Sequence, residues 1–442
     1  HRRAAQPHHR RAVARHAMDT FASRIRRVAA SLAMLLGALA PAAPAVAQFV
    51  ADAYEDEPQI NAGRLLAPEQ LQSGSHRLRD VVRVDASGNL LRFELESDFG
   101  SFDITSEVML RERVHEVRVL AQAIDQFRRA DEPLAQRLRG QLEVGAASWV
   151  DIVTSPLSTS GRLLEQLAGN VGQTLTEFGE FPDAPADTGR GGSTPREDTA
   201  QAAYRRSVAT QLDLDPYSSN ARVQDFLDAV AQARAGGRVS GGALSVRVPR
   251  APHRAVADGA IDAAVRSALA QNTPTELDGF IADTLRGRQV PEPLVDAFLG
   301  NAALSPRHRS VITAHLDFMA GVGGVAHLVD AARGARDELD ALAFEQVVRL
   351  FAGYHEQVAP LVEFRRGGAL PVADDRDGRV VWALPVDLVY WNEQADRTFS
   401  ALATAAGGRG IVVLLPGIVT DRARTQLERR GIDVRARFLD SE

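Results

Sequence analysis

HRLRDVVRVDASGNLLRFELESDFGSFDI, residues 76–104, is the stretch of sequence that decides the fold class. Apolar and polar residues alternate through 76–84 and again through 90–96, which is the two-residue period of a half-buried strand. Turn-forming residues separate these runs at 85–89 and follow them at 98–100. The stretch therefore predicts a small antiparallel β-meander.

The apolar period changes directly after the meander. From Ser106 onward, apolar residues recur every three or four positions, which is the spacing of an amphipathic helix. The residues that carry this period are Leu110, Val114, Val117, Leu120, Ile124 and Phe127. A long helix is therefore predicted to follow the last strand of the meander.

Helical patterns dominate the middle of the chain. Thr194 and Glu197 form a predicted capping box, and a helix is expected from there to about Leu212. A further helix is predicted over about 221–235, and residues 258–364 show the pattern of successive short helices without a fixed repeat. This part of the chain is predicted to be a helical bundle or array.

The pattern changes again towards the C-terminus. Stretches typical of strands are 380–384, 386–391, 411–415 and 432–438. Asn392 and Thr420 are each predicted to cap a helix between these strands. This order predicts a small β-α-β-α-β unit with parallel strands. The predicted fold class is α+β, predominantly α-helical, with an N-terminal meander, a central helical bundle or array and this C-terminal unit.

Changes in composition divide the chain into seven predicted segments. They are an upstream segment (1–17), a signal peptide (18–47), a loose N-terminal segment (48–75), the meander with amphipathic helices (76–180), a linker rich in Pro, Gly and Asp (181–195), a helical domain (196–366) and the small α/β unit (376–442).

The N-terminal segment has the layout of a secretory signal. A basic segment at 24–27 is followed by an apolar run over 28–39, and a small-residue motif ends at Ala47. We interpret Met18 as the start and the Arg- and His-rich residues 1–17 as upstream sequence. The pattern predicts an exported protein that is periplasmic or associated with the envelope after cleavage near Ala47.

Charge and residue usage exclude several classes of function. Removal of residues 1–47, which hold eight Arg and one Asp, lowers the formal net charge from −6 to about −13. Such an acidic chain is a poor candidate for binding nucleic acid by bulk charge. The sequence has no Lys and no Cys, which excludes lysine-based catalysis, disulfides and thiolate nucleophiles. We predict no cofactor and no transmembrane helix in the mature chain.

Residues 146–178 combine few charges with an apolar register of seven residues. One interpretation is a helix that lies on a membrane surface or grips an envelope protein partner. The other is an ordinary pair of helices packed in the core. A membrane-surface helix usually has a polar face rich in Lys and Arg, and the charges here nearly cancel.

Three histidines in the helical region form a candidate metal site. Imidazoles of His315, His327 and His355, with a nearby carboxylate, have the ligand chemistry of a zinc or iron site. No pair of these residues has the spacing of an HExxH motif. Structural or surface roles are the alternative for all three.

A second candidate site lies at the carboxyl ends of the C-terminal strands. Thr420 and Asp421 open a helix after an apolar strand, and Asp387 and Asn392 are expected to join them. These side chains are predicted to face a common crevice that binds a small ligand. Helix capping is the alternative explanation for Thr420 and Asp421.

The turn at 213–220, DLDPYSSN, begins like a calcium-binding loop. The later positions of such a loop require an oxygen ligand, a Gly and a Glu, and Tyr217, Ser218 and Gln224 stand there instead. We therefore predict a structural turn in which Asp, Ser and Asn side chains satisfy local backbone groups and cap the next helix.

Together with the meander, several segments resemble a group of exported bacterial proteins with no assigned activity. In chain order these segments are RERVHEVRVLAQ, DIVTSPLSTSGRLLEQLAGNVG, QLDLDPYSSNARVQDFL, LSPRHRSVITAHLDFMAGVGG and GIVTDRARTQLERRGIDV. The resemblance implies a periplasmic or envelope location and assigns no functional residue.

Two classes of function remain open at this point. The leading hypothesis is a non-catalytic envelope protein that binds a protein partner or a membrane surface through 146–178. The alternatives are a periplasmic hydrolase that uses His and Asp or a metal, and small-ligand binding by the C-terminal unit. No nucleic-acid partner is expected.

Overall fold

The computed structural model describes residues 54–138, 200–235, 248 and 256–440, apart from 86, 131–132, 134, 137 and 369. The predictions for the signal peptide, for 146–178 and for the linker at 181–195 therefore lie outside the described residues. The described residues from Glu55 onward belong to one compact unit. Within the described residues no helix is both long enough and apolar enough to cross a membrane.

The N-terminal sheet confirms the meander. Its strands are β1 (Ile60–Asn61), β2 (His76–Leu78), β3 (Val81–Val84), β4 (Leu91–Ser97) and β5 (Gly100–Thr105), with a one-turn helix α1 (Pro68–Leu71) before β2. All pairs are antiparallel, in the order β1-β3-β4-β2, and β5 also pairs with β4. This antiparallel arrangement follows from the short turns between consecutive strands.

One predicted strand is divided in two. The alternating run 76–84 forms β2 and β3, and both pair with β4. Leu78 lies opposite Leu95, whereas Arg83 lies opposite Arg92. Between these two pairs, the segment that joins β2 to β3 has two more residues than the facing part of β4. The pairing register therefore shifts there.

A long helix, α2 (Glu107–Ala130), follows the meander as predicted. Its apolar face packs against the sheet in one core, which also contains α3 (Ala200–Gln211) and α4 (Ala221–Ala235). Phe127 and Phe226 contact each other within this core, with ring centroids 6.4 Å apart. Buried apolar area of this kind contributes about 25 cal/mol per Å² to folding.

Six helices then form the central array. They are α5 (Val256–Gln271), α6 (Pro274–Gly287), α7 (Glu292–Leu299), α8 (Pro306–Phe318), α9 (Val325–Ala332) and α10 (Glu338–Gln357). Ser305 accepts a hydrogen bond from the backbone N–H of His308 and so caps the start of α8. The prediction of helices through Phe364 is wrong at its end, because α10 stops at Gln357 and residues 361–365 form a strand.

The C-terminal sheet contains β6 (Leu361–Arg365), β7 (Val372–Asp375), β8 (Val380–Ala383), β10 (Ile411–Leu414) and β12 (Ile432–Arg435). β8, β10 and β12 are parallel, as predicted, and β6 and β7 extend the sheet antiparallel. The connections contain α11 (Glu393–Ala406) and α12 (Asp421–Arg429). The fold is thus α+β and predominantly helical.

A short parallel pair, β9 (Leu388–Val389) and β11 (Ile418–Val419), lies beside this sheet. The pair brings Gly417 against the backbone of Asp387, where a Cβ atom would lie 2.2 Å from the Asp387 carbonyl oxygen. Only glycine permits this close approach of two backbones. The contact fixes the position of Asp387.

Candidate functional site

The crevice predicted at the carboxyl ends of the C-terminal strands contains an internal carboxylate. Thr420 donates a hydrogen bond to Oε2 of Glu55 at 2.7 Å, and the backbone N–H of Trp391 donates to the same oxygen at 2.6 Å. Asn392 and Thr420 accept the capping hydrogen bonds of α11 and α12. Asp421 is exposed in the first turn of α12. The capping interpretation therefore accounts for Asn392 and Thr420.

Asp387 has a different role from the other three residues of that prediction. Its carboxyl group is buried and accepts hydrogen bonds from the backbone N–H of Leu91 (3.0 Å), from the Ser106 hydroxyl (3.0 Å) and from the backbone N–H of Glu107 (3.1 Å). It thus caps the first turn of α2 from a distant part of the chain. No hydrogen bond joins its side chain to Asn392, Thr420 or Asp421 in the described part of the chain.

The three predicted metal ligands are held in separate environments. His315 is fully buried, with Nδ1 2.8 Å from the Val311 carbonyl oxygen and Nε2 2.7 Å from Asp258. The backbone N–H of Leu361 donates to Nδ1 of His355 at 3.0 Å. His327 lies on α9, where burial is the main cause that lowers its pKa. Among the described residues no group of three or more His, Asp or Glu side chains is placed to hold a metal ion.

A groove that the sequence did not predict gathers many charged side chains. It has a cavity volume of about 180 Å³ and lies between one face of α2, the turn at 213–215, the helices α5, α8 and α10, and the C-terminal residues. The residues of α2 that line it run from Glu107 to Arg118. Eleven helical steps of 1.5 Å give the groove a length of about 16 Å along this helix.

Charged side chains dominate the lining of this groove. Five arginines line it: Arg111, Arg118, Arg266, Arg307 and Arg349. Eight carboxylates line it as well: Glu107, Glu112, Asp213, Asp215, Asp262, Glu345, Asp387 and Asp440. The lining therefore has an excess of negative charge when all these groups are ionised.

A buried ionic network forms the centre of the groove. Arg307 lies 3.2 Å from Glu112 and 3.5 Å from Glu345, and Nδ1 of His308 lies 2.6 Å from Glu345. Arg349 approaches Glu345 to 4.0 Å from the other side. Burial acts to raise the pKa of Glu345, but these cations outweigh it and hold the pKa at about 2.

The turn at 213–220 is fixed against α2 by buried polar contacts. Ser218 donates to Oε1 of Glu116 at 2.6 Å, and the side-chain amide of Asn220 donates to Oε2 of the same residue at 2.7 Å. The backbone N–H of Tyr217 donates to Oδ1 of Asp215 at 2.8 Å. These contacts confirm the predicted structural turn, and they also place Asp215 in the groove.

Besides Asp387, two charged groups of the lining have no ion-pair partner within the part of the chain that the structure describes. One is Arg118, at the far end of the α2 face. The other is Asp215, whose pKa burial raises to about 6 although Arg307 and His308 oppose the rise. Paired charges stabilise the protein, whereas unpaired charges in a cavity are available to a ligand.

Sequence reasoning missed this site because its residues come from distant segments. A partial signal lies in α2, where Glu107, Arg111, His115 and Arg118 recur at helical spacing on one face of a helix that is otherwise apolar towards the core.

Comparison of the chain with protein-family models, with curated proteins and with solved structures found no match.

Proposed function

We propose that the chain is an exported binding protein that takes a small polar ligand in the groove along α2. The proposal rests on a groove of about 180 Å³ whose lining includes Arg118 and Asp215, two charged groups without an ion-pair partner among the described residues. The signal-like pattern at 18–47 supports the exported location, as an inference from sequence.

The balance of paired and unpaired charges supports ligand binding over a purely structural network. Arg307 and Arg349 are bound by carboxylates of the protein itself, so the centre of the groove is rigid. Charged groups on such a rigid frame are pre-organised and lose little entropy when a ligand arrives. A ligand that pairs with Arg118 or Asp215 thus gains contacts that the free protein leaves open.

The other hypotheses from sequence have less support. The hydrolase hypothesis required His315, His327 and His355 to converge. His315 and His355 are held by different partners, and no group of three or more such side chains among the described residues is placed to hold a metal ion. The hypothesis of membrane or partner binding rests on 146–178, which lies outside the described residues, and it stays a prediction.

Thermal unfolding of the mature chain with a panel of small polar compounds tests the proposed function. A compound at one hundred times its Kd is expected to stabilise the chain by about 2.7 kcal/mol and to raise Tm. Arg118→Met is expected to remove or reduce this increase, because it deletes the unpaired guanidinium of the groove.

Arg397→Met is the matched control for this experiment. Arg397 is a largely exposed arginine of α11, 3.8 Å from Glu393, and it does not line the groove. The control is expected to respond to the compounds as the unaltered chain does. If no compound raises Tm, or if both variants respond equally to the compound that does, the groove is not the binding site.

A further inference from the structure

One carboxylate oxygen in the groove is buried and has no hydrogen-bond partner among the described residues. It is Oε2 of Glu107, at the first residue of α2. The side chain of Glu107 is 8% exposed and lines the groove. Leaving a charged acceptor buried without a donor is costly, so such groups usually have a partner.

The other oxygen of this carboxylate is already engaged. Oε1 of Glu107 accepts from Nε and Nη2 of Arg111, at 3.1 and 2.5 Å, and lies 3.5 Å from Nη1 of Arg437. Asp440 lies 3.0 Å from Arg437 and 3.4 Å from Arg111. Two arginines are thus bound to Oε1 and to Asp440, and Oε2 is the oxygen of this lining residue that has no donor in the described structure.

The charges around Oε2 do not balance. Glu107, Asp387 and Asp440 supply three carboxylates, whereas Arg111 and Arg437 supply two guanidinium groups. Burial raises the pKa of Asp387 to about 7, so one negative charge is in excess at this end of the groove once the pH exceeds that value and Asp387 is ionised. A group that donates a hydrogen bond and has one positive charge satisfies both the open acceptor and the excess charge.

The backbone supports the idea that this cluster is held in place for binding. Arg437 has a φ of 54°, in the left-handed region that residues with a Cβ atom rarely adopt. Such conformations persist where the surrounding structure enforces them, and they are concentrated at functional sites. Nη2 of Arg437 is also buried without a partner in the described structure, but Arg437 does not line the groove.

We infer that the Glu107 end of the groove binds a primary ammonium group, so that the ligand of the proposed binding protein is a small amine. This inference rests on the proposed function and adds the chemical class of the ligand. The ammonium group donates to Oε2 of Glu107, and the remainder of the ligand extends along α2 towards Arg118.

Isothermal titration with two probes of equal length tests this inference. The probes are 1,4-diaminobutane, which has an ammonium group at each end, and 1,4-butanediol, which has hydroxyl groups instead. The mature chain is expected to bind the diamine and to bind the diol at least about tenfold more weakly, since a charge-assisted hydrogen bond is lost. Glu107→Gln is expected to weaken diamine binding by about tenfold or more.

Two further variants separate binding from folding. Asp440→Asn removes the excess negative charge at a residue whose side chain is 33% exposed, and it is expected to weaken diamine binding while the fold is kept. Asp421→Asn is the matched control. Like Glu107, Asp421 is the acidic first residue of a helix, but it does not line the groove. The control is expected to bind the diamine as the unaltered chain does.

Each outcome decides between the two proposals. Equal binding of diamine and diol, or diamine binding that Glu107→Gln and Asp440→Asn leave unchanged, overturns the ammonium site. The same holds if neither probe binds. If another compound of the panel still raises Tm in a manner that depends on Arg118, the binding groove stands and only the ligand class is wrong. If none does, both proposals fail.

Discussion

Replacing Asp387 with alanine is expected to lower the free energy of unfolding by about 3–5 kcal/mol. The substitution removes three hydrogen bonds and leaves the buried backbone N–H groups of Leu91 and Glu107 without an acceptor. It also uncaps α2, the helix that forms one wall of the groove. Urea denaturation followed by circular dichroism measures the loss.

Asp421→Ala is the control for this substitution. Asp421 is exposed in the first turn of α12, and the capping hydrogen bond of that helix goes to Thr420 instead. Loss of its favourable position at the helix N-terminus is expected to cost less than about 1 kcal/mol. Similar losses for the two substitutions would show that Asp387 is not the cap of α2.

The pH dependence of stability gives an independent measure of Asp387. Burial is the main cause that raises its pKa from 3.8 to about 7, and the nearby charge of Glu107 adds to the rise. The folded chain therefore holds this proton more tightly than the unfolded chain. Its contribution to stability is complete at low pH and is lost as the pH rises from about 4 to about 7. Asp387→Asn is expected to remove this contribution from the measured slope.

Replacing Arg349 with methionine is also expected to cost about 3–5 kcal/mol, for an electrostatic reason. Arg349 bonds to Asp258 and Asp262, the latter at 2.7 Å, and lies 4.0 Å from Glu345. Asp258 and Glu345 are almost fully buried, with exposed side-chain fractions of 3% and 4%. Removal of the cation takes one charge partner from each of these carboxylates in a site of low dielectric constant, although Glu345 keeps Arg307 and Asp258 keeps His315.

Arg286→Met provides the matched comparison at the surface. Arg286 also contacts two carboxylates, Asp283 at 3.0 Å and Glu292 at 2.6 Å, but the three side chains are 47%, 80% and 52% exposed. Exposed ion pairs are worth about 0–1 kcal/mol because water and salt screen them. Chemical denaturation of both variants measures the loss in the free energy of unfolding. Equal losses would contradict a buried network around Arg349.

Local patterns were sufficient to predict much of the fold. Alternation over 76–104 predicted the meander, and the side chains of Asn392 and Thr420 predicted the two helix starts that the structure confirms. These features depend on residues within a few positions of one another. The strand at 361–365 was missed because its short apolar run continues the pattern of the preceding helix, and only pairing with β7 distinguishes it.

The candidate site was not predictable, because its residues contact one another across distant segments of the chain. Asp387 was selected as a ligand residue beside its sequence neighbours, but its partners are Leu91, Ser106 and Glu107. The partner of His315 is Asp258, which lies on another helix. Contacts between distant segments leave no periodic signal in one sequence, so neither the cap nor the groove was visible before the fold was known.

The hydrogen bonds of Asp387 also constrain the order in which the chain acquires its structure during synthesis. The cap of α2 lies 280 residues beyond Glu107 along the chain. At a translation rate of about 5–20 residues per second, α2 emerges about 15–60 s before the carboxylate that completes it. Throughout that interval the start of α2 lacks this acceptor. The N-terminal module therefore gains this last set of hydrogen bonds only after synthesis has reached Asp387.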